Sequence, residues 1–279
     1  MRLVMLGFLI LVLWGVYLGA NEYRVWRDAD TLARDIASER LQDLDAAWQK
    51  YQNISARSNA GASLWSAQSA LRDRLMHDAE RVLDQSRQPD APAVTESDWA
   101  RVRNEVQRAL QLEPGDKNVR GTLRVIDGQL ERIRGSAHHD AKMLEQSRED
   151  FQEAANDLKK SPDPWLGLAR LYIYSLHDVE HGEAAIKEAE RRGHDIGKRE
   201  TSQIADGYRA RAEQTMKFGD KASTNADAQR YYDLARDDIS KARKMYESLV
   251  PWDGSASNLT KLDEDLMHMA QAGQQREPR

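Results

Sequence analysis

His177 and His181 stand four residues apart, and His138, His139 and Asp140 are contiguous. A histidine pair at that spacing on one helix can hold a metal ion. Here the first pair straddles an expected turn between two helices, with Asp178 and Glu180 inside it. Neither cluster has an evident third ligand, and there is no HExxH pattern. Both read as solvated loop histidines, so no metal is expected. A Gly-rich phosphate loop, a Gly-x-Ser-x-Gly elbow and a Ser/Lys pattern are all missing. Asp and Glu are frequent, but they alternate with Arg and Lys along helical stretches, which marks a solvated face laced with i, i+4 pairs. No carboxylate pair stands apart for acid–base work. The inventory predicts no catalytic residue, no cofactor and no small-molecule substrate, and the chain reads as a non-enzyme.

Composition narrows the classes further. The 279 residues include no cysteine, which excludes disulfides, thiolate metal sites, a Cys nucleophile and a lipid-bearing Cys anchor. Net charge is -5 with both signs interspersed, and the run from Arg191 to Arg199 is short and mixed with acids, so no nucleic-acid partner is expected. Ala, Leu, Arg, Asp, Glu and Gln dominate, and β-branched residues are sparse. This composition predicts an all-α protein.

From Leu3 to Ala20 no residue is charged. About 18 residues at the helical rise make roughly 27 Å, enough to cross a bilayer core. Trp14, Tyr17, Tyr23 and Trp26 crowd the far end as an interfacial aromatic belt would. The rival is a cleaved signal peptide, whose apolar region is shorter and whose cleavage site prefers small residues. Leu18-Gly19-Ala20 fits that site poorly, so residues 3–20 are expected to be a single-pass anchor and the lipid bilayer a partner. A short basic head before the span favours an exported, periplasmic body. Arg24, Arg27 and Arg34 after the span leave the cytoplasmic orientation open.

Beyond the anchor, residues 21–94 read as a helical stalk and hairpin. Asn21 to Arg57 is expected to be one long helix, with Leu32, Ile36, Leu41, Leu44, Trp48 and Tyr51 as its apolar stripe. Ser58 to Gly61 breaks it, and a second helix is expected from about Ser63 to Arg87. Gln88 to Thr95, with two prolines, reads as a loop. Ser97 with Asp98 is expected to cap a helix beginning near Trp99. Residues 95–267 are expected to form a helical domain, and 268–279 a disordered tail.

Within that domain a small signature recurs: Val106 and Ala109, Phe151 and Ala154, Ile186 and Ala189, Ile239 and Ala242. Each is a bulky residue followed three positions later by Ala, on one helical face. The bulky side chain is a knob, and the Ala permits a neighbouring helix to approach. A turn follows each copy, as at Pro114-Gly115, Ser161-Pro162-Asp163-Pro164, Gly193 and Pro251. Trp165, Leu168, Ala169 and Tyr172 then resemble the first helix of a tetratricopeptide repeat, with Gly182, Ile186 and Ala189 on the second. Tyr208, after Ile204 and Ala205, resembles a later first helix.

The resemblance covers about residues 99–249 and departs from the family in spacing. The motif alanines lie 45, 35 and 53 residues apart, from 109 to 154, 189 and 242, against about 34 in the family. Enlarged loops or elongated helices are expected at Gly135 to His139 and at Phe218 to Ala226. The resemblance implies a TPR-like α-solenoid of antiparallel helix pairs, in which knobs of one hairpin fill gaps in the next. It implies a protein-docking groove at Leu166, Arg170, Ile173, Tyr174, Ser202, Asp206 and Arg209, with Arg170 gripping a carboxylate and Tyr174 supplying flat contact area. The function implied is a membrane-anchored scaffold for other proteins at a bacterial cell envelope, in an assembly or secretion complex. The alternative is a permanent structural subunit of a membrane complex.

Overall fold

A computed structural model describes the backbone of residues 2–59, 61–252 and 254–276, and side chains from 14 to 274 within those ranges. The described residues are helical, joined by short turns, with no strand among them. The helices are α1 (Arg2–Ala37), α2 (Leu44–Ser55), α3 (Trp65–Arg87), α4 (Glu96–Leu112), α5 (Lys117–His138), α6 (Ala141–Asp157), α7 (Asp163–Arg170), α8 (Val179–Glu190), α9 (Lys198–Lys221), α10 (Asn225–Leu249) and α11 (Ser255–Arg276). A 3-10 turn (Gly61–Leu64) precedes α3, and a π-turn (Leu171–Ser175) extends α7. No helix is long and apolar enough over its described residues to cross a membrane. Most of the apolar stretch Leu3–Ala20 lies before Trp14, outside the described side chains.

The chain forms two compact units. The first comprises residues 1–82 and 101–120, the second 83–100 and 121–279. In the first, α1 buries Val25, Ala29, Leu32 and Ile36 on one face, and it packs on α2 and the 3-10 turn. The carboxylate of Glu22 accepts from Ser63 Oγ at 2.6 Å and from the backbone N–H of Asn59. Arg57 pairs with Asp28 at 2.9 Å. The expected single helix from 21 to 57 is therefore two. Glu39 takes a left-handed φ of 55°, which a helix interior cannot hold. Asp43 then restarts the helix by accepting from the N–H groups of Asp45 and Ala46, an N-cap that satisfies donors the first turn leaves unpaired.

In the second unit consecutive helices pack on one another: α6 on α7, α7 on α8, α9 on α10, and α10 on α11. Thr95, not Ser97 or Asp98, caps α4. Its hydroxyl accepts from Asp98 N–H while the Asp98 carboxylate accepts from Thr95 N–H, a reciprocal box. At Gly135 and at Phe218 the helices are elongated: α5 continues to His138 and α9 to Lys221. The expected tail at 268 is helical through Arg276. Met269 is fully buried and His268 reaches Asp220 at 3.0 Å, so burial holds the chain in the helix past the point where its composition turns polar.

The signature residues sit inside their units. Val106, Ala109, Phe151, Ala154, Leu168, Ala169, Ile186, Ala189, Tyr208, Ile239 and Ala242 are buried. Trp165 and Tyr172 are only half-buried. Arg192 covers the Trp165 ring at 4.5 Å, and His181 stacks on Tyr172 at 5.2 Å. The tightest notches belong to glycine rather than alanine. A Cβ on Gly167 would lie 2.3 Å from the Phe151 ring, and one on Gly128 2.9 Å from it. Phe151 of α6 thus fills a gap left open by the missing Cβ atoms of Gly128 on α5 and Gly167 on α7.

Candidate functional site

The second unit encloses a cavity of about 710 Å³. The sequence positions it as follows. Ser161-Pro-Asp-Pro starts α7, with Pro164 in the first turn, where a missing N–H costs nothing. Asp163 is buried and receives two bonds from Arg87 at 2.6 Å, so the end of α3 is tied to the start of α7. About two turns on, Arg170 closes α7, and the π-turn begins. Its bond from Leu176 N–H to Leu171 C=O, at 3.0 Å, spans five residues. Such turns widen a helix and recur at functional sites. Arg170 and Tyr174 both face the cavity from this segment.

Three guanidinium groups line the cavity, from Arg132 on α5, Arg170 on α7 and Arg199 on α9. Arg170 Nη2 donates to Ser86 C=O at 2.7 Å, and Arg199 Nη1 donates to the same oxygen at 2.9 Å. Arg199 Nη2 also reaches the carbonyls of Pro89 at 3.0 Å and Ala91 at 3.3 Å. The two arginines therefore serve the carbonyl end of α3, where a helix favours cations, and pin the loop 88–95. Gln85 Nε2 holds Pro92 C=O at 3.1 Å, and Trp252 Nε1 donates to Asp90 at 3.3 Å. Among the described residues Arg132 has only the neutral amide oxygen of Gln129 as a hydrogen-bond partner, at 3.2 Å from both Nε and Nη2.

None of the three has a carboxylate oxygen within 4.0 Å among the described residues. Burial, followed by the charge of Arg170, pulls Arg132 down to about 10. Burial, followed by the charge of Arg199, also lowers Arg170. Asp206, also in the lining, accepts from Tyr174 Oη at 3.0 Å and from Tyr246 Oη at 2.5 Å. Burial first, and the Asp206 carboxylate second, push the Tyr174 phenol up. That hydroxyl stays a donor.

Of the seven residues projected for the groove, Arg170, Tyr174, Ser202 and Asp206 line this one cavity. Leu166 and Ile173 are buried in the core and present no surface to a partner. Arg209 pairs with Glu213 on its own helix and is not among the lining residues. Sequence reasoning missed Arg132, Arg199, Trp99 and Trp252. An arginine on a solvated helix face and one facing a cavity look alike in sequence, and the loop at 88–95 reaches α9 across more than a hundred residues. The histidines expected to be solvated, His138, His139, His177 and His181, are exposed, and His181 also pairs with Asp178 at 2.6 Å. No cluster of metal-ligating groups occurs among the described residues. No protein-family model matches the sequence, and no curated protein is significantly similar to it.

Proposed function

We propose that this chain is a membrane-anchored scaffold that docks other proteins on the concave surface formed by α7 and α9, at a bacterial cell envelope, as part of an assembly or secretion complex. The observation that carries the reading is the convergence of Arg170, Tyr174, Ser202 and Asp206, separated by up to 36 residues in sequence, on one cavity. Helix pairs stacked in the manner of tetratricopeptide repeats would present such a surface repeatedly. The anchor reading draws on α1, whose helix starts at Arg2, and on the exposed side chains of Trp14, Val16 and Tyr17. Holding the body at a bilayer raises the effective concentration of weak partners.

A photo-crosslinking residue at Tyr174 of the full chain, in its native membrane, tests the reading. The expected result is a discrete crosslinked protein, lost when the same residue is placed at exposed Glu247. Equal crosslinking at both positions, or fractionation of the full chain away from membranes, overturns it.

A second reading has its own support. Phe218, Tyr231 and Leu234 are exposed together on α9 and α10, with the first two rings 5.9 Å apart. An apolar patch of this kind suits a permanent interface, and so a fixed structural subunit.

A further inference from the structure

Arginine usage sets the cavity apart. Elsewhere in the second unit half-buried arginines meet carboxylates: Arg124 with Glu153 and Asp157, Arg192 with Glu188, Arg211 with Asp238. Arg24 and Arg230 also lack a carboxylate partner, but they are exposed, and water solvates them. Among the described residues of the second unit, Arg132, Arg170 and Arg199 are the half-buried arginines without a carboxylate within 4.0 Å, and they line one cavity. Arg170 stands in the middle. It shares the Ser86 carbonyl with Arg199, and it is close enough to Arg132 for the two charges to oppose each other. The charges of Glu200 and Asp163 offset part of the cost at Arg170, and Asp206 and Asp90, which also line the cavity, are engaged by Tyr174, Tyr246 and Trp252. Like charges drawn together out of water still cost free energy unless something of opposite sign completes them.

The carbonyl end of α3 accounts for Arg170 and Arg199 in part. It does not account for Arg132, whose fork points at a single neutral amide. From this arrangement we infer that the cavity is a binding site for a compact phosphate-class oxyanion, coordinated by Arg132, Arg170 and Arg199. Three planar forks carried by three different helices suit a tetrahedral group with several terminal oxygens. A planar carboxylate fills one or two such forks. Ser202 and Gln203 on α9 add neutral donors to the lining. A compact anion needs only to take over bonds that Arg170 and Arg199 now give to carbonyl oxygens. The inference goes beyond the scaffold reading and does not depend on the membrane anchor or on a protein partner.

The test titrates inorganic phosphate, at constant ionic strength, into the full chain in detergent with ¹⁵N-labelled arginine, and follows the Nε–Hε signals. The expected result is a saturable shift of the Arg132, Arg170 and Arg199 signals with none at Arg230. Arg132→Gln should weaken phosphate binding at least ~10-fold, a loss of ~1.4 kcal/mol, and Arg230→Gln should leave it unchanged. Arg132→Lys keeps the charge without the fork and should bind more weakly than the parent while folding as it does. If neither variant folds, the parent's own signals decide. No saturable shift, a shift of equal size at Arg230, or acetate or citrate binding as tightly as phosphate at matched ionic strength would each overturn the assignment.

Discussion

Two stretches of the second unit use the same helix-pair architecture with opposite economy. Along α9 and α10 buried alanines recur at heptad spacing, Ala205 and Ala212 on one helix and Ala228, Ala235 and Ala242 on the other, with Gly219 set against the Tyr232 ring. Tyr232, Ile239 and Tyr246 repeat at the same interval between them. The helices pack along their length, and the buried charge is paired, with Arg211 forked onto Asp238 at 2.7 and 2.6 Å. Around α7 Gly167 and Ala169 are both buried, the helix opens into a π-turn, and the cavity arginines have carbonyl and amide partners only. In the first stretch Arg211 and Asp238 satisfy each other. The second keeps cationic donors facing an open space, the condition in which stability is forgone at a site that binds something.

That contrast can be broken most strongly at Arg211. Replacing it with Ala leaves the Asp238 carboxylate, whose side chain is 7% exposed, without its fork, and should lower stability by about 3 kcal/mol. Chemical denaturation of the full chain in detergent measures it, and a loss below that of an exposed arginine variant would show that water reaches Asp238.

A smaller loss is expected for Gly167→Ala. Alanine in place of glycine favours a helix by up to ~1 kcal/mol. Its methyl would meet the Phe151 ring at 2.3 Å, and overpacking a fully buried site costs about 1–3 kcal/mol. The clash should win by roughly 1 kcal/mol. The double variant Gly167→Ala with Phe151→Leu should recover part of the loss, since the substitutions share one contact.

The smallest effect has the opposite sign. Arg132→Met removes a charge that burial disfavours, and should raise thermal stability by about 1 kcal/mol where Arg211→Ala lowers it. A melting temperature that falls would mean that Arg132 is compensated by the bonds it already makes. That result would bring the two stretches into one class.

Much of the helical scaffold was readable in advance because it depends on local rules. The capped or proline-led starts at Pro164 and the stops at Gly193 are properties of a few adjacent residues. The buried face of the signature pairs follows from helical period alone. The break at Ser38 to Asp43 was missed even so. Its cap was visible in Asp43, but the apolar stripe on either side ran through it, and periodicity outweighed a single capping residue. The heptad of alanines in α10 was legible too and was overlooked in favour of the three-residue signature. The glycine notches were not legible. Nothing near Gly128 or Gly167 says that both will face Phe151, because that is settled by which helices become neighbours.

The site divides the same way. Arg170, Tyr174, Ser202 and Asp206 could be projected onto one surface because each sits at a fixed phase of its own helix. The sequence by itself determined the all-α class, most helix limits and the residues that turn inward, since hydrogen-bond period and burial of apolar side chains act over a few residues. Only the tertiary structure decided that α5, α7 and α9 bring three arginines to a single cavity and that the loop at 88–95 occupies two of them. A guanidinium's partners are set by distance in space, and no pattern along the chain encodes which charges will be left without a carboxylate.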